Sequence, residues 1–355
     1  MLKLIKRAAV TILAVAAPAI AADVRLQGGG ATFPSPLYQK WVTEYQKSHP
    51  DIKIDYQSIG SGGGIKGITD KTFDFAGSDA PMNKKELEAA GGADKIVQIP
   101  SCAGGVVPAY NVPGVKGDLN FTGELLADIF MGKVNKWNDS KITALNSGQT
   151  LPNLSITTAW RSDGSGTTFV WTNYLCTQSE EFKGNIGMGK QVSWGRIGQG
   201  GKGNEGVAAI VQQTPGALGY LEQNFAQQNR IAYGAIKNRS GKFVKASPQS
   251  VSAAGNGAVD AMKGHVLAAD IWNQPGDGAY GASGFTYLIV YKDLNNVKSR
   301  AQAQALVDFL WWSTHDAQKF AGDLDYAPLA DGVQKKVEEA LKTLTYQGQS
   351  LVPSR

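Results

Sequence analysis

Histidine is scarce in this chain of 355 residues: only His49, His265 and His315 occur. They lie at no ligand-like spacing from one another or from Cys102 and Cys176, which argues against a metal centre. None sits in a recognisable active-site motif, so a serine triad would lack its base. Ser61 and Ser165, the serines set among glycines, also miss the Gly-x-Ser-x-Gly pattern, because Ile59 and Asp163 stand where its first glycine belongs. No Walker loop is present: Lys202 follows Gly201, but no glycine stands five residues ahead of Gly201. Gly198, Gly200 and Gly203 match G-x-G-x-x-G, with Glu222 19 residues further on. No short strand leads directly into those glycines, and an ordinary glycine loop accounts for them. A basic run with interleaved aromatics is also missing, which argues against nucleic acid. Beyond the N-terminus no apolar stretch reaches the roughly 20 residues of a membrane span.

The N-terminus itself is informative. Lys3, Lys6 and Arg7 precede a short apolar run that ends in Ala19-Ile20-Ala21. A basic start, an apolar core and small residues at the cut describe a cleaved secretory signal over residues 1–21. Pro18 interrupts the run, and no cysteine lies near the cut to carry a lipid. Removing the signal takes three of the 35 basic residues and leaves 32 against 30 acidic ones, so the net charge falls from +5 to +2. The expected destination is a Gram-negative periplasm. That oxidising compartment permits a bridge between Cys102 and Cys176, and two buried thiols are the alternative.

The exported chain has room for two domains of ~100–200 residues, and it alternates strands with helices. Leu37, Trp41 and Tyr45 recur every fourth residue, a helical stripe with Pro34 and Pro36 at its start. Ile52 to Ser58 alternates as a strand does. Further strands are expected at 73–78, 105–110, 154–160, 217–221 and 285–291. Helices are expected at 122–131, 167–175, 206–213, 297–315 and 329–344, the last broken near Gly332. Residues 185–204 read as an ordered glycine-rich loop containing Trp194 and Arg196. This alternation predicts an α/β fold with mostly parallel sheets. No linker separates two halves, so the chain is expected to cross between domains more than once, with 105–110 and 285–291 as candidate crossings.

Three stretches share one pattern: Gly28-Gly29-Gly30-Ala31-Thr32-Phe33-Pro34, Gly60-Ser61-Gly62-Gly63-Gly64 and Asp163-Gly164-Ser165-Gly166-Thr167-Thr168. Each follows a strand-like run and precedes a helix-like one. A helix start carries unpaired N–H groups and partial positive charge. Glycine lets backbone approach a ligand, and Ser or Thr adds a neutral donor. One such loop is most simply a tight turn. Three, with Arg161 beside the third, point to helix ends converging on a small oxyanion. Asp163 can hold Arg161 while the guanidinium forks onto an anion, and a solvated surface pair is the alternative.

Together with Phe73 to Pro81, Gly200 to Gly206 and Asp323 to Leu329, these stretches resemble the periplasmic phosphate-binding proteins of bacterial phosphate ABC transporters, over essentially the whole exported chain. The resemblance implies a two-domain periplasmic binding protein fold with the ligand cleft between the domains. Domain I would comprise 22–102 plus 279–355, and domain II 103–278. It implies a phosphate site of Thr32, Phe33, Ser61, Asp79, Arg161, Ser165, Gly166 and Thr167, with Asp163 supporting Arg161. No cofactor, metal or catalytic residue is implied. The implied partners are inorganic phosphate and the permease subunits of the importer. Nucleic acid and stable membrane insertion are not implied, and the expected state is a monomer. Gly62 stands where a second serine is common, the cysteines lie outside the pattern, and Tyr280 to Gly284 is less typical. Asp79 makes sense only for a ligand that brings its own proton, as phosphate does and sulfate does not. The alternatives are a receptor for arsenate, a secreted phosphatase, and an adhesion or scavenging protein using the same pocket. The phosphatase would need a metal cluster or an activated nucleophile.

Overall fold

The computed structural model describes residues 24–194 and 198–353; the signal segment 1–21 and Arg196 lie outside the described residues. A nine-stranded sheet organises the chain. Its strands are β1 (Val24–Gly30), β2 (Ile52–Ser58), β3 (Phe75–Ser78), β4 (Ile96–Tyr110), β5 (Thr157–Arg161), β6 (Gly198–Gly201), β7 (Ala217–Glu222), β8 (Ala232–Tyr233) and β9 (Ser283–Tyr291). Their order is β2-β1-β3-β9-β4-β7-β5-β6, with β8 against the end of β4.

The two wings of this sheet are parallel, β1 with β2 and β3 on one side and β5 with β6 and β7 on the other. The centre is antiparallel: β9 pairs with β3 and β4, and β4 pairs with β7. The expectation of mostly parallel sheets is therefore corrected at the centre, where two long strands pass between the wings in opposite directions. β4 changes partner along its length. Ile96 to Gly105 lie against β9, and Val106 to Tyr110 lie against β7. Both β4 and β9 are buried along their whole length, which removes the alternation of a half-exposed strand.

Seven helices matter below: α1 (Ser35–Ser48), α2 (Ser61–Thr69), α3 (Lys84–Ala89), α4 (Gly166–Gln178), α5 (Gly203–Gln213), α6 (Arg300–Thr314) and α7 (Asp331–Leu341). The expected stripe of α1 is buried, and the Trp41 indole N–H donates to the Ala317 carbonyl at 3.0 Å. Pro36 sits in the first turn of α1, where its missing N–H costs no helical bond. In α7, Gly332 lies inside the first turn and does not break the helix; N–H groups there have no intrahelical partner to lose. The expected glycine loop over 185–204 is only partly a loop: Gly198–Gly201 pair with β5 as an edge strand, and Gly203 opens α5. Cys102 on β4 and Cys176 near the end of α4 are both buried and unbridged. Burial pushes both thiols up.

Candidate anion site

Five strand-to-helix or strand-to-loop junctions end at one place between the wings. β1 ends in Gly30, at φ +141°, where a Cβ would lie 2.1 Å from the Gly77 carbonyl oxygen. Only glycine lets β1 and β3 approach so closely. The chain then turns through Thr32 and Phe33 into α1. β2 passes through Gly60 into α2, whose first residue is Ser61. β3 ends at Ser78 and hands on to Asp79. β5 ends at Arg161 and leads into α4, capped by Ser165, whose hydroxyl accepts the Thr168 N–H at 3.0 Å. β6 leads through Lys202 into α5, with Asn204 in its first turn.

These junctions share a hydrogen-bond network. Ser61 Oγ accepts the Asp79 N–H at 3.1 Å and the Gly166 N–H at 3.0 Å, and donates to Asp79 Oδ2 at 3.4 Å. A Cβ on Gly166 would lie 2.4 Å from Asp79 Oδ2, so the first turn of α4 rests directly on the carboxylate. Thr286 of β9 donates to the other oxygen, Asp79 Oδ1, at 2.8 Å. Arg161 gives Nε to Asp163 Oδ1 at 2.8 Å, Nη2 to Asp163 Oδ2 at 2.5 Å and Nη1 to Thr167 Oγ1 at 3.2 Å. Among the described residues three of its five N–H groups are thus used and two remain. Asp163 Oδ1 also accepts the Gly203 N–H at 3.0 Å. The Arg161 side chain is 1% exposed, so this is a buried fork and not a solvated surface pair.

All the sequence-predicted site residues lie at these junctions. Thr32, Ser61, Asp79, Arg161, Gly166 and Thr167 belong to the network. Phe33 and Ser165 adjoin it, and the Phe33 carbonyl accepts the Tyr326 hydroxyl at 2.7 Å. The wings meet directly here: Gly62 N–H donates to the Gly164 carbonyl at 2.8 Å. At the rim, Lys190 Nζ pairs with Glu86 Oε1 of α3 at 2.5 Å. Among the described residues no group of three or more His, Cys, Asp or Glu could hold a metal ion.

The electrostatics separate the two aspartates. Burial pushes Asp79 up to about 7, against the Thr286 hydrogen bond, the Arg161 charge and Ser61. Burial also pushes Asp163 up, but the hydrogen bonds and charge of Arg161, with the Gly203 N–H, outweigh it and hold the carboxyl below its usual range. Asp163 is therefore a fixed anion, while Asp79 exchanges a proton near neutrality. The ordinary value of Asp79 is 3.8 and its folded value is higher, so the folded state binds that proton more tightly than the unfolded chain. Its contribution to stability is full below about pH 4 and is lost as pH rises through about 7, up to about 4 kcal/mol in all. Urea unfolding of ligand-free protein at pH 5 and pH 8 should show this decline in wild type and a shallower one in Asp79→Asn. Equal declines would mean that Asp79 titrates normally.

Comparison with known proteins agrees with this architecture. Residues 17–315 match the model of the PBP superfamily domain. A phosphate-binding protein PstS from Pasteurella multocida is 42% identical over 320 residues, covering 90% of each chain. Another PstS, from Xylella fastidiosa, is 43% identical over 317 residues, covering 89% of this chain and 84% of its own. This chain belongs to the PstS family of phosphate-binding proteins. Among solved structures, a high-affinity periplasmic phosphate-binding protein bound with phosphate superposes with a TM-score of 0.71 at 22% identity, covering 89% of this chain and 93% of its own. The PstS-family chain therefore has the two-domain α/β fold of periplasmic binding proteins.

Three members of the network escape a sequence reading of this PstS-family chain. Asn204 bonds Thr32 and Thr167. Thr286 bonds Asp79. Tyr220 OH accepts the Arg161 N–H at 3.1 Å and shares a 2.7 Å bond with Thr168 Oγ1. Thr286 left a signal, as a threonine within the buried run of β9, and so did Asn204, next to the glycine that opens a helix. Tyr220 left none, since a tyrosine in an apolar strand reads as core.

Proposed function

We propose that this chain binds inorganic phosphate in the periplasm and delivers it to the permease subunits of an ABC importer. Asp79 carries the reading. It is a buried carboxyl that accepts from the Ser61 and Thr286 hydroxyls, and once ionised, above about pH 7, it serves only a ligand that brings a proton. Phosphate keeps one at neutral pH. Thr32, Phe33, Ser61, Ser165, Gly166 and Thr167 supply neutral donors, Arg161 supplies the charge, and Asp163 holds Arg161. Three helix starts, of α1, α2 and α4, disperse the ligand's charge without an excess of fixed cations. The phosphate-binding relatives support the ligand, and a further structural neighbour, an ABC-type phosphate transport receptor from Vibrio cholerae, supports the transport role. Among the described residues no helix is long and apolar enough to cross a membrane.

In this reading residues 1–21 direct export and the remaining chain acts as a monomer without a catalytic step. Residues 22–102 with 279–355 form one body and 103–278 the other, joined through β4 and β9. Phosphate should hold the bodies closed, since its donors come from both. Saturating phosphate should raise the melting temperature by mass action, by about 2.7 kcal/mol of stability at a hundred times Kd. Small-angle scattering should report a radius of gyration equal to or below that of the phosphate-free protein. No melting shift at millimolar phosphate, or expansion on adding it, would count against a cleft receptor.

A further inference from the structure

Asn204 joins the two sides of the cleft through a bonding pattern that leaves little freedom. Its Oδ1 accepts the Glu222 backbone N–H at 2.9 Å. A backbone N–H can only donate, so the amide orientation is fixed and the NH2 group faces the threonines. That group donates to Thr32 Oγ1 at 2.7 Å and to Thr167 Oγ1 at 3.1 Å. Thr32 Oγ1 accepts a second bond, from the Asn204 backbone N–H at 3.2 Å. Thr167 Oγ1 also accepts a second, from Arg161 Nη1 at 3.2 Å. Asn204, Thr32 and Thr167 are each no more than 2% exposed, so water does not compete for these bonds.

A hydroxyl has two acceptor lone pairs and one hydrogen. On both threonines the lone pairs are taken, so each hydroxyl has only its hydrogen left to offer. We infer that Asn204 is a positioning residue that fixes Thr32 and Thr167 as obligate donors to the bound anion. The inference rests on the reading of the cleft as a phosphate site. It deepens that reading by giving selectivity a second component. A ligand that must itself donate to these hydroxyls finds no acceptor, which leaves Asp79 as the one carboxylate to receive a ligand proton. Without the amide, either hydroxyl can rotate and accept, and its contribution to anion binding falls.

A double-mutant cycle tests this, since two groups acting as one unit give non-additive effects. Phosphate is titrated into wild type, Asn204→Ala, Thr32→Val/Thr167→Val and the triple variant, with melting curves of each in the absence of phosphate. Asn204→Ala should weaken phosphate at least tenfold in wild type and less than threefold in the valine background. An equal loss in both backgrounds, or a loss under threefold in wild type, overturns the positioning role. If wild type itself binds no phosphate, the site reading fails first and this inference with it. Should Asn204→Ala fail to fold, Asn204→Leu keeps nearly the same shape and carries the same comparison.

Discussion

Arg161→Ala should weaken phosphate binding by about 30-fold to several-thousand-fold, more than the loss of any one hydroxyl in the site. The physical reason is the burial of the Arg161–Asp163 fork. Truncating one partner of a buried hydrogen-bonded charge pair costs ~2–5 kcal/mol, much of it for the charge left behind, and each 1.4 kcal/mol is about a factor of ten. In the variant, Asp163 loses both bonds from Arg161 and is left with backbone N–H donors such as that of Gly203. The carboxyl that Arg161 now holds below its usual range would then face the incoming anion with its charge uncompensated. Thr167 would also lose the Nη1 bond that fills one of its lone pairs. Calorimetry on the variant checks the prediction. An affinity within about threefold of wild type would mean that Arg161 serves only to hold Asp163.

Asp79→Asn should change selectivity more than it changes phosphate affinity. Asparagine can accept the phosphate proton through its carbonyl, and it can turn its amide toward an unprotonated oxygen. The carboxylate of wild type can do only the first while ionised. For sulfate it is both a repelling charge and an acceptor whose ligand-facing lone pair finds no donor, and an unmet buried acceptor costs ~1–3 kcal/mol. At pH 8, where wild-type Asp79 is ionised, sulfate binding is expected to be undetectable in wild type and should become measurable in the variant. Thr286 and Ser61 both touch the present carboxylate, and each hydroxyl can donate to the new carbonyl or accept from the new amide, so the packing has a way to persist. The competing view makes Asp79 a structural link between β3, α2 and β9 that never meets ligand. Asp79→Asn would then lose stability and leave the phosphate-to-sulfate ratio unchanged.

Most of this geometry was legible as local chemistry, and what was not legible arises from tertiary pairing. The loops around Thr32, Ser61 and Ser165 announce themselves because a helix start needs a glycine or a hydroxyl whatever the rest of the chain does. The wings follow from periodicity in the same way: Ile52, Ile54 and Tyr56 of β2 are buried and their neighbours exposed. The first half of β4 is a different matter. It is buried on both faces and contains Pro100, which reads as a strand breaker. The structure tolerates that proline beside a bulge, where the register of β9 shifts between Thr286 and Tyr287 and the ladder has no N–H to lose. The glycine run at 198–201 carries no side-chain pattern, so only its pairing with β5 marks it as a strand. Asn204 sits at a recognisable helix start, but its partner Thr32 lies 172 residues away. Tyr220 meets Arg161 from 59 residues away, and no local motif encodes either pairing.

Isothermal titration of phosphate and of sulfate into the wild-type protein without its signal segment is the most direct test of the proposed function. At pH 8, where Asp79 is ionised, one phosphate per chain should bind tightly, with sulfate silent at the same concentrations. The expected discrimination is on the order of 10⁴ or more, as for sites whose buried polar groups the wrong ligand leaves unpaired. Equal binding of the two anions, or sulfate binding with phosphate silent, would contradict the role given to Asp79 and the assignment of this cleft to phosphate.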